Sequence, residues 1–457
     1  MDVLKGKIGG LMLVGFLLLL LGGGEARAVI RDLKELSQNP AAYLDRGTAD
    51  RPLLLPEVQG RLSGEYERLY FAPWHQAEPR HTLEQVTWGF REYGANPGFA
   101  KNGQKRSAAW VREMAANAHL EDYPQGGFPA VLVKRADFRV LPTGESHSSY
   151  PNPASGYAFD NLQESSEPEG TPILVTQVSR DRKWVLAETS ATLGWIPASA
   201  AAQVDQAFMR RWENGKPVAF VLDDIPVRDE RGAFLFQAPL GAIFPKIGER
   251  DGRVSILTAV RDKQGKAQLR NGWVKRAAVA DKPLPFTAGR VAALAAALAG
   301  EPYRWGGLDG KRDCSALVQD LFAPFGLWLP RNSREQAGAG RFVSFKDLAP
   351  AEKEALIIRQ GVPWRTLLWT PGHIMLYIGV HQGRPLIFHN FWSIKTRDAA
   401  GKQGRIIVGR ASVTTLHPGR ELPDLDLPRA DVLYGLAGMT LLGEPPESGA
   451  PVPEAAP

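Results

Sequence analysis

The sequence predicts a multi-domain chain: a helical N-terminal segment, two copies of a small β-barrel module and a C-terminal α+β domain. Three observations carry this. The chain has 457 residues, enough for roughly three or four domains at the usual ~100–200 residues each. Its 47 glycines and 35 prolines exceed what a helical bundle tolerates and favour short strands and turns. A Gly-Trp pair in a β-type run occurs at Gly194-Trp195 and again at Gly272-Trp273, which marks a duplicated module. Apolar content of 44% and charged content of 23% are ordinary for folded, water-soluble chains and exclude wholesale disorder or a multi-span membrane protein.

At the N-terminus, Lys5 and Lys7 precede the apolar run Leu11–Leu21, and Ala26-Arg27-Ala28 supplies a small-residue cleavage site. Residues 1–28 therefore read as a signal peptide and the protein as exported, periplasmic or cell-wall associated. The run falls short of the ~20 residues a spanning helix needs, so no integral membrane anchor is expected. Removing the three basic and two acidic residues of that segment takes the net charge from +6 to +5. Such a mildly basic surface suits an anionic polymer, and with no basic block no nucleic-acid partner is expected.

Residues 29–125 are rich in Trp, Arg and Pro and predict helices, such as Lys105 to His119, beside an aromatic cluster from Tyr70 to Trp74. β-type runs then fill 126–205 (Ala130–Val133, Ile173–Val178, Trp184–Ala187, Gly194–Ile196) and 206–283 (Val218–Leu222, Phe234–Phe236, Arg253–Val260, Gly272–Val274). Asp281 to Pro285 reads as a linker. In 284–442, an Ala/Leu-rich helix covers Gly289 to Leu298, and a second begins at Asp313 with Leu317, Val318, Leu321 and Phe322 as its apolar stripe. Alternation from His373 to Val380, followed by Ile387 to His389, predicts a β-hairpin. The Pro- and Glu-rich stretch 443–457 reads as a disordered tail.

The single cysteine cannot form an internal disulfide, and eight dispersed histidines offer no ligand pairs, so neither a metal nor a cofactor is expected. Cys314 falls at a helix start, where the dipole and free amides favour thiolate, while the adjacent Asp313, a plausible N-cap, opposes it. His373 is the natural base for acyl transfer through a thioester, and His389 the candidate to orient it. His381 competes for the base role, but the turn after it holds it away. Strand parity requires an odd loop: His381-Gln382-Gly383, with Val380 opposite Arg384, places Met375 opposite His389 and leaves His389 diagonal to His373 on the face toward Cys314; a one-residue bulge serves equally. The two imidazoles should then meet at roughly 2.7–3.2 Å.

Four ordered motifs carry a resemblance. Tyr303-Arg304-Trp305-Gly306-Gly307, Asp313-Cys314-Ser315-Ala316-Leu317, Pro330-Arg331-Asn332-Ser333-Arg334-Glu335-Gln336, and Gly372-His373-Ile374 through Tyr377-Ile378-Gly379 resemble the NlpC-type cell-wall cysteine peptidases over about residues 286–440. The upstream part is similar to members with a helical stabilising segment and two bacterial SH3-like domains. The resemblance implies a papain-like α+β catalytic domain acting on peptidoglycan stem peptides. It implies cleavage between γ-D-glutamate and a diamino acid, and a requirement for a free N-terminal L-alanine. On it, Cys314 is the nucleophile, His373 the base and His389 the orienting residue. Tyr303, Trp305, Asp313, Ser315 and Ser333 match pocket positions, with Asp313 holding the substrate amine. An acid of the first SH3-like domain joins it; Glu164 is the candidate, with Glu167 and Glu169 as rivals. A monomer is expected. The alternatives are a thiol acyltransferase or amidase on the same scaffold, or a non-catalytic wall-binding protein. Two departures stand out: Ala316 replaces a common Gly, and Thr370-Pro371-Gly372 replaces the usual Pro-Gly-Asp turn.

Overall fold

The computed structural model describes residues 30–151 and 159–445. The signal-peptide expectation for 1–28, and the tail beyond residue 445, lie outside the described residues. The N-terminal part is helical, with α1 (Arg31–Glu35), α2 (Pro56–His75), α3 (Leu83–Ala95) and α4 (Ala108–Ala118). A reciprocal capping box between Thr82 and Gln85 opens α3. Ser107 caps the Trp110 amide, so α4 begins at 108. No helix of the described residues is long and apolar enough to cross a membrane.

The two β modules are strand-for-strand copies. The first comprises β1 (Phe128–Leu132), β2 (Ala136–Arg139), β3 (Gln163–Glu167), β4 (Pro172–Val178), β5 (Trp184–Glu188), β6 (Leu193–Pro197) and β7 (Ala201–Gln203). After α5 (Gln206–Glu213) come β8 (Lys216–Phe220), β9 (Ile225–Arg228), β10 (Phe234–Ala238), β11 (Ile243–Arg250), β12 (Arg253–Arg261), β13 (Ala267–Lys275) and β14 (Val279–Asp281). The sheet orders are β3-β2-β6-β5-β4-β1-β7 and β10-β9-β13-β12-β11-β8-β14, so adding seven to each strand of the first reproduces the second. The repeat extends to register, with Arg139 opposite Trp195 and Arg228 opposite Trp273. The glycine before each Trp has a steric reason: a Cβ at Gly194 would lie 2.9 Å from the Arg139 amide, and one at Gly272 2.7 Å from the Val227 side chain.

The C-terminal domain holds α6 (Ala288–Ala297), α7 (Cys314–Phe322), α8 (Ser333–Ala337), β15 (Gly340–Ser344), α9 (Pro350–Gln360), β16 (Thr366–Thr370), β17 (His373–His381), β18 (Arg384–Arg397), β19 (Gln403–Thr415), α10 (Leu427–Ala430), α11 (Val432–Gly435) and β20 (Gly438–Leu442). Its antiparallel sheet runs β15-β20-β16-β17-β18-β19. One face, with Leu367, Ile374, Leu376 and Phe388, packs under α6 and α7. The other, with Leu368, Met375, Tyr377 and Ile387, packs against Ile357 of α9 and Leu433 of α11.

Two expectations are corrected. Asp281 to Pro285 is a packed strap: Lys282 and Leu284 are buried, and Gln59 of α2 donates to the carbonyls of Leu284 (2.5 Å) and Phe325 (2.9 Å) while accepting from the Phe286 amide (3.2 Å). The hairpin turn has two residues, not three. His381 pairs with Arg384 across Gln382 (φ 50°) and Gly383 (φ 79°), the positive-φ pair of a type I′ turn. A bulge between Tyr377 and Gly379 then restores parity, leaving Leu376 opposite Phe388.

The N-terminal segment also shields the sheet edge. Asp32 accepts from the amide and hydroxyl of Thr415 (both 2.8 Å), and Gln38 exchanges two hydrogen bonds with the Val413 backbone (3.0 and 3.1 Å). The outward ladder groups of Val413 and Thr415 at the end of β19 are thereby covered.

Candidate active site

Asp313 caps α7 by accepting from the Ala316 amide (2.9 Å), which puts Cys314 at the first helical position. The thiol lies in the floor of a cleft of about 930 Å³, to which Tyr303, Trp305, Asp313, Ser315, Ser333 and Glu164 all contribute. Burial, with the Asp313 charge second, pushes the thiol up to about 12; the Ile374 and Ser315 amides and Arg331 oppose this without overcoming it. The helix start favours thiolate and Asp313 opposes it, as expected; burial is the larger influence and acts on the side of the thiol. The Ile374 amide, one residue along the strand from His373, is the first of the groups that lower the thiol's pKa.

His373 Nε2 and His389 Nδ1 are 2.8 Å apart, and His389 Nε2 lies 3.0 Å from Thr414 Oγ1. The proton positions follow from the chain of donors. Thr414 gives its own hydroxyl proton to the Thr415 carbonyl (2.8 Å), so it accepts from His389 Nε2–H. Burial, with His373 second, holds His389 well below its usual range, so it is neutral and its Nδ1 accepts from His373 Nε2–H. His373 Nδ1 is left bare, the form a base requires. By alternation both imidazoles belong with Met375 and Ile387 rather than with Ile374 and Phe388, the face that packs with Cys314. Among the described residues no hydrogen bond joins the thiol to either ring, and this alternation corrects the expectation that both rings lie on the face toward Cys314. His381 is exposed and its ring packs edge-on against Tyr43.

Of the three candidate acids in the first β module, Glu164 alone lines this cleft; Glu167 lines a separate pocket behind it. Glu164 is open to water yet enclosed by cleft walls, so desolvation raises its carboxyl while Arg331 lowers it. Phe159 meets Tyr303, Trp305 and Trp392 edge-on, and Gln163 donates to the Gly306 carbonyl (3.0 Å). The first module is thus one wall of the site.

The chain matches four family descriptions in order: NLPC_P60 stabilising domain, N term (residues 12–123), SH3 domain of SH3b1 type (147–197), SH3 domain of SH3b2 type (205–251) and NlpC/P60 family (300–396). The C-terminal domain belongs to the NlpC/P60 family. A solved structure described as a novel NlpC/P60 endopeptidase from Photobacterium damselae subsp. piscicida superposes with TM-score 0.80 at 27% identity, covering 90% of this chain and 98% of that one. An NlpC/P60 family protein from Bacillus cereus ATCC 10987 is 15% identical with TM-score 0.45 over 71% of this chain and all of that one. The bifunctional muramidase/DL-endopeptidase CwlT of Bacillus subtilis (strain 168) is 35% identical over 89 residues, 19% of this chain and 21% of that protein. The chain thus spans about a fifth of the length of this curated relative.

One residue of the NlpC/P60 site escaped the sequence reading. Arg331 grips Asp313 bidentately (2.8 and 3.1 Å), donates to Ser315 Oγ (2.8 Å), and reaches Ser165 Oγ of the first SH3 module (2.9 Å). Burial alone would raise the Asp313 carboxyl, but Arg331 holds it below its ordinary value. With Ala316, Ser315 and Gly306 also donating, its two oxygens accept from five donors. A substrate amine meets Asp313 only by displacing one of them.

With His373 as the expected base, its surroundings set an expected acid limb of activity. Burial, opposed by Asp313, pulls this imidazole down to about 4. A base must be neutral, and a lowered pKa keeps it neutral to lower pH. Turnover is therefore expected to persist through pH 5 and to fall only near pH 4, as measured by kcat/KM against pH; a midpoint near 6.5 would show an exposed, unshifted base.

Proposed function

We propose that the protein is an exported peptidoglycan hydrolase, a cysteine endopeptidase cutting the bond between γ-D-glutamate and the diamino acid of stem peptides. The observation that carries this reading is a thiol at the first residue of α7, lining the cleft, together with an imidazole at the start of β17 whose bare nitrogen is fixed by His389 and Thr414. His373 Nδ1 takes the thiol proton as sulfur attacks the carbonyl carbon. The free amides of the first turn of α7 supply donors for the oxyanion. The proton passes to the leaving amine, and water, deprotonated by the same nitrogen, releases the γ-D-glutamyl acid from the thioester.

The first SH3 module closes one side of the cleft, and Glu164, which lines it, is the proposed acceptor for the free amine of the N-terminal L-alanine. An ammonium ion beside a carboxyl raised by desolvation restores its ionised form, which a neutral amide does not. The test compares a free stem peptide with its N-acetyl form by mass spectrometry of the products. Cleavage between γ-D-glutamate and the diamino acid is expected, slower by about 10- to 100-fold on the acetylated peptide, the worth of one charge-assisted hydrogen bond. Equal rates would show an open pocket that admits glycan-linked stems, and no cut at that bond would overturn the reading.

A further inference from the structure

We infer that Asp223 of the second SH3 module is a positioning residue for the nucleophile, acting through Arg312, two residues before Cys314. Arg312 is 2% exposed, and all five of its N–H groups find acceptors. Nε donates to Asp320 (2.7 Å) on α7; Nη1 donates to Asp223 (3.1 Å) and Glu301 (3.5 Å); Nη2 donates to Asp223 (2.9 Å) and the Leu240 carbonyl (3.2 Å). Asp223 and Leu240 both belong to the second module, and the Leu240 amide in turn fixes Asp223 (2.8 Å). The Arg312 carbonyl is held as well, by the Arg304 amide (3.0 Å) and Asn390 Nδ2 (2.9 Å). The segment that delivers Cys314 to the cleft is therefore clamped on one side by its own domain and on the other by the second SH3 module.

The three carboxylates are not equivalent. Burial raises Asp320 and Glu301, whereas the bidentate Arg312 contact brings Asp223 below its ordinary value despite its burial. Asp223 is the one carboxylate that Arg312 grips with two nitrogens, and it draws the guanidinium toward the second module while Asp320 draws it toward α7. Without its charge, Arg312 keeps Asp320 and Glu301 and stays paired, so the catalytic domain retains its fold while the balance of forces on residues 312–314 tips toward α7. A small displacement there loosens the seat of the thiol on the Ile374 and Ser315 amides, which is where geometry controls rate. The second SH3 module, which contributes no residue lining the cleft, thereby acts on the reaction from behind.

The test uses the full chain, whose single cysteine makes iodoacetamide alkylation a direct report on Cys314. Asp223→Asn, nearly isosteric and still able to accept from Leu240, is the first variant. Arg312→Lys, which keeps the charge but loses the two-pronged contact, is the second. For folded variants of unchanged secondary structure, the alkylation rate at a fixed pH below the midpoint is expected to fall about threefold or more, because the amides hold the thiolate less well. On a stem peptide kcat should fall about tenfold with KM within about twofold. Folded variants of both kinds with the wild-type alkylation curve would overturn the inference. The kinetic arm rests on the proposed hydrolase activity and the alkylation arm does not. A wild-type protein inert toward stem peptides would count against that activity, while the alkylation curves would still decide the role of Asp223.

Discussion

Cys314→Ala is expected to lower stem-peptide hydrolysis by about 10⁴-fold while leaving the melting temperature within a few degrees of wild type. The two halves of this expectation have separate causes. The rate loss follows because no other thiol exists in the chain to form the thioester, and removal of a nucleophile typically costs this much even when the rest of the site is intact. The fold survives because Cys314 makes no disulfide and contributes one small, 7% exposed side chain to a core dominated by Leu317, Val318, Leu321 and Phe322 of the same helix. Losing one sulfur from such a site costs on the order of 1 kcal/mol. Mass spectrometry of digests and a thermal melt check both. Residual activity above about 1% of wild type would remove Cys314 from the nucleophile role.

Local signals in the sequence carried the scaffold further than the chemistry. The start of α7 was legible because Asp313 is a capping residue directly before an apolar stripe of helical period, and the duplicated module because its Gly-Trp pairs sit where a neighbouring strand leaves no room for a Cβ. The hairpin was legible in parity but not in detail. Gln382 at φ 50° is an uncommon choice for a type I′ turn, and the bulge at Ile378 has no residue signature. The weight of burial on the Cys314 thiol was not legible, because helix position is local while desolvation depends on everything packed around the sulfur. The contacts of Asp32 and Gln38 with β19, and of Gln59 with the strap, join residues hundreds of positions apart and show no periodicity. Arg331 was visible as a letter of a motif, but its partners, Asp313 and Ser165, lie in two different domains.

Arg331→Met tests how much of the site rests on that pairing. Asp313 is 6% exposed and Arg331 8%, so removing the guanidinium leaves a buried carboxylate without its counter-ion and Ser165 Oγ without its donor. Breaking a buried pair from one side costs about 3–5 kcal/mol, and that loss is expected in ΔG of unfolding from a urea titration. The Asp313 carboxyl should also climb from its depressed value. Its stabilising share is present above the unfolded carboxylate pKa and is lost as pH falls through the folded value, so the single variant should lose the wild type's advantage most visibly at neutral pH and least in acid. The double variant Asp313→Asn, Arg331→Met removes both charges, and Asn can still accept at the α7 N-cap, so much of the lost stability should return. Activity should not return with it. Arg331 is one of the charges that favour the Cys314 thiolate, and it is the link between the first SH3 module and the floor of the cleft. A double variant that recovers stability but remains slow by about 100-fold or more would separate the pair's part in catalysis from its part in folding. Recovery of full activity would mean that the pair is only structural, and that the cleft needs neither its charge nor its tie to Ser165.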